Sequence, residues 1–209
     1  MIEPAINITR NPMKKPSLVL ASTSRYRALL LERLKLSFIT ISPDVDEAAS
    51  TDERCSDTAL RLAIAKAVAG AKKSALTTGL VIGSDQVCEL KGVALAKPGS
   101  TVRAYEQLVA MRGKTLTFHT ALALHNIATG ATQSIVVPTE VVMRDYLTSE
   151  IQFYLENEDA LDCAGSAKSE GLGVALIESM TSADPTALVG LPLIALTSML
   201  AREGIGVLS

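Results

Sequence analysis

Leu80-Val81-Ile82-Gly83-Ser84-Asp85-Gln86-Val87 is the stretch on which the fold turns. An unbroken apolar run closing on Gly-Ser reads as a buried strand whose C-terminal end surfaces at Asp85. A second run, Leu18-Val19-Leu20-Ala21, passes through Ser22-Thr23-Ser24 into a helical pattern from about Arg25 to Lys35, striped by Leu30, Leu31 and Leu34. In open α/β sheets, ligands bind beyond the carboxyl ends of the strands. Here one strand end delivers hydroxyls and arginines and the other delivers an acid, a pairing suited to phosphate-ester chemistry.

Further along, Ser37 to Ser42 reads as extended and leads into the acidic loop Pro43-Asp44-Val45-Asp46-Glu47. A helix is predicted from about Asp57 to Ala75, with Leu60, Ile64, Ala67, Val68 and Ala71 on one face and Ser56 or Asp57 as N-cap. A loop from Lys91 to Gly99 precedes a helix over about 101–111, stopped by Gly113. Alternation from Leu116 to Leu124 and from Gln133 to Met143, around an Ala-Thr-Gly turn at 128–130, predicts a β-hairpin. A short helix near 148–157, a strand near Gly173–Ile177 and a closing helix from about Leu193 to Arg202 complete the pattern. The mixture reads as one α/β domain over residues 17–209, with a mixed, twisted sheet flanked by helices. Residues 1–16 carry Pro4, Pro12 and Pro16 but no apolar h-region. They read as a poorly ordered leader, not a signal peptide.

With 209 residues the chain is large enough for one well-buried core. A formal net charge of −2 leaves no broad basic face for nucleic acid, and the absence of tryptophan leaves few stacking platforms. No segment approaches the ~18 consecutive apolar residues of a membrane span. Cys55, Cys88 and Cys163 form neither a CxxC pair nor an even framework, which suits a reducing cytoplasm. Cys88 and Cys163 read as small apolar packing residues. His119 and His125 have no acid partner nearby in sequence and also read as packing residues.

The candidate chemistry begins at Ser22–Arg27. A helix N-terminus attracts phosphate, and Ser22 and Ser24 can cap it or bind a ligand oxygen. Arg25 and Arg27 in a first turn oppose the macrodipole by ~0.3–1 kcal/mol, a conflict that an incoming anion removes. The alternative is a capped helix with solvated arginines. Asp85 alone could equally be a strand-end residue bonding its own backbone. Its company is Lys66, Lys97, Lys168, Asp46 and Glu47, each of which taken singly is surface charge. Lys66 stands out because it interrupts an Ala-rich helix face. Together they offer what nucleotide phosphate hydrolysis needs: acids for a divalent cation, cations for phosphate charge, and a carboxylate to orient water.

The order of these pieces resembles the Maf family of nucleoside triphosphate pyrophosphatases. The matching residues are Leu20-Ala21-Ser22-Thr23-Ser24 with Arg27, Val45-Asp46-Glu47, Lys66-Ala67, Ile82-Gly83-Ser84-Asp85, Lys97-Pro98 and Val189-Gly190-Leu191-Pro192-Leu193. They span about residues 17–205. Ser84-Asp85-Gln86-Val87-Cys88, Cys163-Ala164-Gly165-Ser166, Lys168-Ser169-Glu170-Gly171 and Leu188 to Leu196 resemble the YceF-like branch, whose members act on 7-methyl-GTP. The resemblance implies a fold similar to the inosine-triphosphate pyrophosphatases, with two lobes around a cleft. It also implies hydrolysis between the α- and β-phosphates with a divalent cation, Mg²⁺, Mn²⁺ or Co²⁺. On it, Asp85 matches the catalytic acid or base and a metal ligand, with Glu47 the second ligand. Ser22, Ser24, Arg27, Lys66 and Lys97 match phosphate-binding positions. Tyr26, Gln86 and Glu170 match the positions that choose the substrate, and a homodimer is implied. Two departures are plain: Arg25-Tyr26-Arg27 replaces the usual Pro-Arg-Arg, and Ala96 replaces a glycine before Lys97-Pro98.

Chemically, N7-methylation puts positive charge on guanine, which favours an aromatic face by ~0.5–2 kcal/mol. A carboxylate such as Glu170 could accept from its N1–H and amino group. Tyr26 could also be a packing residue of the first turn. The alternative readings are a pyrophosphatase for dTTP and UTP or for the inosine and xanthosine triphosphates, and a nucleotide-binding regulator of septum formation.

Overall fold

The computed structural model describes residues 17–48, 50 and 52–208, so the leader assigned to residues 1–16 lies outside the described residues. Strands β1 (Leu18–Ala21), β2 (Phe38–Ile41), β3 (Leu80–Leu90), β5 (Thr115–Asn126), β6 (Thr132–Met143) and β7 (Ile177–Ser182) lie in the order β2-β1-β3-β5-β6-β7. A short β4 (Val93–Leu95) also pairs with β3. β1 is parallel to β2 and to β3, and the remaining pairings are antiparallel. Among the described residues five α-helices flank this mixed sheet: α1 (Arg25–Glu32), α2 (Cys55–Ser74), α3 (Thr101–Met111), α4 (Thr148–Asn157) and α5 (Leu193–Arg202). The α/β class and the mixed sheet agree with the sequence pattern.

β3 organises the molecule. β5 pairs with it from Leu80 to Glu89 along one edge. On the other edge β1 pairs only as far as Ile82, and β4 begins only at Cys88. Between them, residues 83–87 have no strand partner on that side among the described residues, and the sheet forks there. Asp85 lies in the fork.

Alternation along β3 assigns the two faces. Leu80 and Ile82 join Leu18, Leu20, Leu122 and Leu124 under α1 and α5. Further along that face Cys88, Leu116 and Phe118 pack with residues of α3 and α4, around Leu108, Met111, Ile151 and Tyr154. These two clusters are the cores of two lobes, one on each side of the fork. The opposite face belongs to α2, which lays Ala59, Ala63 and Ala67 against Ala121 and Ala123.

Small residues set how close α2 can come. A Cβ on Gly83 would lie 2.2 Å from the Ala63 carbonyl oxygen and 2.5 Å from the Ala67 amide nitrogen. A Cβ on Gly70 would meet the Ala21 Cβ at 2.5 Å. The helix therefore rests almost directly on strand backbone, which is why Lys66 can reach a residue of β3.

Several local expectations are corrected. α2 starts at Cys55 with Arg54 at its N-cap position, not at Asp57. Asp57 instead sits in the first turn, where its charge suits the helix dipole and binds Arg54 Nε at 2.7 Å. α1 closes at Glu32, before Lys35, which adopts a left-handed φ of 55°. The strand predicted near Gly173–Ile177 is a 3-10 turn over Leu172–Leu176, and the strand follows at β7. The cause is tertiary: a Cβ on Gly173 would lie 2.5 Å from the Lys168 amide nitrogen, and Glu158 Oε2 accepts the Leu172 N–H at 2.8 Å. The chain folds back on α4 before it can extend. His119 does have an acid partner, Glu89, at 2.9 Å. Register supplies it, because β3 and β5 pair Val87 with His119 and so bring Glu89 alongside. No helix among the described residues is long and apolar enough to cross a membrane.

Candidate active site

The β1–α1 junction builds the first wall. Ser24 is the N-cap of α1, and its Oγ accepts the Arg27 N–H at 3.4 Å. Ser22 is buried, and its Oγ accepts the Ser24 N–H at 3.1 Å. The first turn of α1 holds no acidic residue, so its positive end is left uncompensated by the chain itself. Arg27 folds inward and donates from Nε to the Gly190 carbonyl at 2.9 Å. Gly190 has φ 114°, and a Cβ there would come within 3.4 Å of Arg27 Nε. A glycine satisfies both demands.

The second wall is the fork. Ser84 donates to the carbonyls of Ala121 at 2.7 Å and Gly190 at 2.9 Å, tying the loop before α5 to β3. Gln86 adds to that tie: its Nε2 lies 2.8 Å from Thr120 Oγ1, 3.0 Å from the Leu188 carbonyl and 3.1 Å from that of Ala187. Oε1 is then the Gln86 atom left for a ligand. Asp184, 2% exposed, accepts from the N–H groups of Ile194 and Ala195 and anchors the start of α5. Its Oδ1 also takes the N–H and hydroxyl of Thr186 close by, but the two amides that make it an anchor for α5 lie ten and eleven residues on, outside any local pattern.

The third wall, from α2, carries the strongest electrostatics. Lys66 Nζ lies 2.6 Å from Asp85 Oδ1 and 2.5 Å from Glu47 Oε1. The side chains of Lys66 and Asp85 are 7% and 11% exposed, whereas that of Glu47 is 63% exposed. An ammonium has three N–H donors, so one remains for a ligand oxygen. Asp85 Oδ2 has no hydrogen-bond partner among the described residues, and Asp85 lines the cleft. The hydrogen bond from Lys66 holds the Glu47 carboxyl below its usual range against the opposing effect of burial, and the charges of Lys97 and Arg27 add to the lowering. Burial pushes the Arg27 pKa down while Asp85 and Glu47 push it back up, and the guanidinium stays charged. Lys97 is exposed at the rim with no ion pair among the described residues.

These walls enclose a cleft of about 1050 Å³ lined by Ser22, Ser24, Tyr26, Arg27, Glu47, Lys66, Asp85, Gln86 and Lys97. The structure thus brings together nine of the ten predicted site residues. Glu170 stands apart on an exposed turn, where its Oε2 accepts from Ser169 Oγ at 3.3 Å. Asp46 turns away to accept the Ala48 N–H, and Lys168 is paired with Glu158 at 2.5 Å. Burial pushes the Cys88 and Cys163 thiols up to about 12, which keeps both protonated and unreactive. Glu53 was overlooked: it lines the cleft, receives Arg61 Nε and Nη2 at 2.8 Å each, and accepts the Ser50 N–H at 3.1 Å. Glu53 stands just before α2 and Arg61 in its second turn, so their spacing matches no intrahelical i,i+3 or i,i+4 pair and gives no periodic signal.

The donor set bears on a metal. Among the described residues no cluster of three His, Cys, Asp or Glu side chains could hold an ion. Glu47 and Asp85 nonetheless turn carboxylate oxygens onto one cation, the Lys66 ammonium. Two hard oxygens converging on a point of positive charge fit Mg²⁺, which takes one or two carboxylates and completes its shell with water and substrate phosphates.

The fork is lined by a helix N-terminus, the basic side chains of Arg25, Arg27, Lys66 and Lys97, and two converging carboxylates, a combination chemically suited to a polyanionic phosphate ester. The chain belongs to the Maf-like protein family, whose model matches residues 17–203. Relatives named 7-methyl-GTP pyrophosphatase include one from Thiobacillus denitrificans, 54% identical over 194 residues, covering 93% of this chain and 96% of that one. Another, from Aromatoleum aromaticum, is 53% identical over 193 residues, covering 92% and 98%. A third, from Burkholderia pseudomallei, is 53% identical over 190 residues, covering 90% and 88%.

Proposed function

We propose that this protein hydrolyses 7-methyl-GTP between the α- and β-phosphates, releasing 7-methyl-GMP and pyrophosphate, and so keeps a modified nucleotide out of nucleic acid. The observation that carries the reading is the Glu47–Lys66–Asp85 cluster in a cleft beside the α1 N-terminus. Relatives named for this activity and more than half identical over nine-tenths of the chain support the choice of substrate.

Asp85 is the catalytic carboxylate. Paired with Lys66 through Oδ1, it offers Oδ2 as an acceptor that orients a water molecule and takes its proton as the water attacks the α-phosphorus. The Pα–O bond to the β-phosphate breaks and pyrophosphate leaves. Arg27, Lys66 and Lys97 stabilise the charge that accumulates on the phosphoryl and leaving oxygens. Ser22 and Ser24, with the α1 N-terminus, seat the phosphate chain. Glu47 and Asp85 are the residues that would hold a divalent cation, which when bound neutralises phosphate charge and polarises the phosphoryl group. Tyr26 offers its ring to the cationic base, Gln86 offers Oε1, and Glu170, on an exposed turn outside the cleft lining, is the carboxylate assigned to the guanine edge.

The test is pyrophosphate release from a panel of nucleoside triphosphates with Mg²⁺, Mn²⁺ or Co²⁺, alongside Asp85→Asn. The expected outcome is a preference for 7-methyl-GTP and a loss of roughly three orders of magnitude or more in the variant. Equal turnover of dTTP, UTP and 7-methyl-GTP would refute the specificity. Near-normal activity of Asp85→Asn would refute the assigned roles, and tight nucleotide binding without turnover would favour a regulator.

A further inference from the structure

Arg25 has no place in the chemistry above, yet it lines the cleft and its contacts are unusual. It is the first residue of α1, where a cation opposes the helix dipole, so the helix itself does not favour it there. Its guanidinium carbon lies 4.8 Å from the centroid of the Tyr26 ring, and Nη2 donates to the Tyr26 hydroxyl at 2.9 Å. Asp162, another cleft residue, and Asp159 add negative charge in its neighbourhood. The aromatic surface assigned to a cationic base thus already carries a cation, supplied by the adjacent residue.

We propose that Arg25 is an exchangeable cap on Tyr26, a specificity-determining residue that holds the base seat until a positively charged base displaces it and then turns its guanidinium to the incoming phosphates. The inference rests on the proposed reading of Tyr26 as the base seat. Three observations favour exchange over a fixed contact. Arg25 is exposed, so moving it opens no cavity. Its partners are an aromatic face and one hydroxyl, with no ion pair within 4 Å among the described residues. The uncompensated α1 N-terminus beside it is where phosphates bind, so the same event that takes away its aromatic partner brings an anionic one.

The signature is a reversal of sign. A ligand that needs the ring but carries no phosphate must displace the cap and gains nothing in return, so its apparent affinity is lowered by the capped fraction. Removing the cap should tighten 7-methylguanosine binding by ~2–5-fold, the strength of an exposed cation–π contact. The triphosphate loses the charge-assisted contact that the released guanidinium makes, so the same change should weaken 7-methyl-GTP binding by ~3–10-fold.

The experiment is calorimetric titration of 7-methylguanosine and 7-methyl-GTP into Asp85→Asn protein, which leaves the triphosphate intact, with and without Arg25→Ala. Opposite shifts for the two ligands are expected. Unchanged or weakened nucleoside binding would overturn the cap, the second outcome marking Arg25 as a fixed support for Tyr26. A Tyr26→Ala control separates the two levels. If it leaves 7-methylguanosine binding intact, the base seat itself is wrong; if it abolishes binding while Arg25→Ala changes nothing, only the cap is.

Discussion

Lys66 holds two carboxylates, and replacing it by methionine keeps most of the side-chain volume while removing the charge. Glu47 can then turn to water, because 63% of its side chain is already exposed. Asp85 cannot, at 11% exposure, and is left as a buried carboxylate without its ammonium. Breaking a buried pair from one side costs ~3–5 kcal/mol. The open cleft and the charge of Arg27 offset part of this, so Lys66→Met should destabilise by ~2–4 kcal/mol, lowering Tm by ~4–15 °C in a chain of this size. Asp85→Asn is different: Lys66 keeps Glu47 and a neutral amide replaces the charge, for a change of less than ~1 kcal/mol. The double variant removes both buried charges and should recover to within ~1 kcal/mol of the parent, giving a coupling of ~2 kcal/mol. Urea unfolding followed by circular dichroism at pH 7 measures all four corners of the cycle. A Lys66→Met protein as stable as the parent, or losses that simply add in the double variant, would refute the account of the cluster as a desolvated ion pair.

Two further outcomes concern the frame around the cluster. Arg61 above all, with help from the Ser50 N–H and Thr58, lowers the Glu53 carboxyl from 4.5 to about 2. A depressed carboxylate stabilises the fold above its unfolded pKa, so the stability difference between parent and Glu53→Gln should be constant above about pH 4.5 and vanish as pH falls toward about 2. Paired acid titrations of the two proteins check it, and a difference that grows on acidification would contradict it. Gly83→Ala should push α2 off β3, because the new methyl would meet Ala63 and Ala67 backbone; overpacking of this kind costs ~1–3 kcal/mol or more. Thermal unfolding reads the loss, and pyrophosphate release should fall with it as Lys66 is drawn away from Asp85.

Much of the frame was readable in the chain. The apolar run before Asp85, the Ser24 cap and the alternating hairpin strands are local patterns of period 2 or 3.6, and each formed close to its expected bounds. The errors came where distant atoms decided. Glu158 and Lys168 turned the stretch before Ile177 into a 3-10 turn, and strand register gave His119 its acid. The Arg25–Tyr26 stack also escaped notice, because adjacent helical residues do not ordinarily face each other, and here the two side chains fold back across the first turn.

By itself the sequence determined that hydroxyls and arginines end one strand and an acid ends another, and that a lysine interrupts an alanine-rich helix. Side-chain type and periodicity are written residue by residue, so these follow without coordinates. Only the tertiary structure decided that β1 leaves β3 after Ile82 and β4 joins it at Cys88, opening the fork at Asp85. It alone decided that Gly83 lets α2 approach closely enough for Lys66 to meet both Asp85 and Glu47. The physical reason is that strand pairing and helix approach depend on the summed packing of residues far apart in the chain, and no local window contains both members of such a contact.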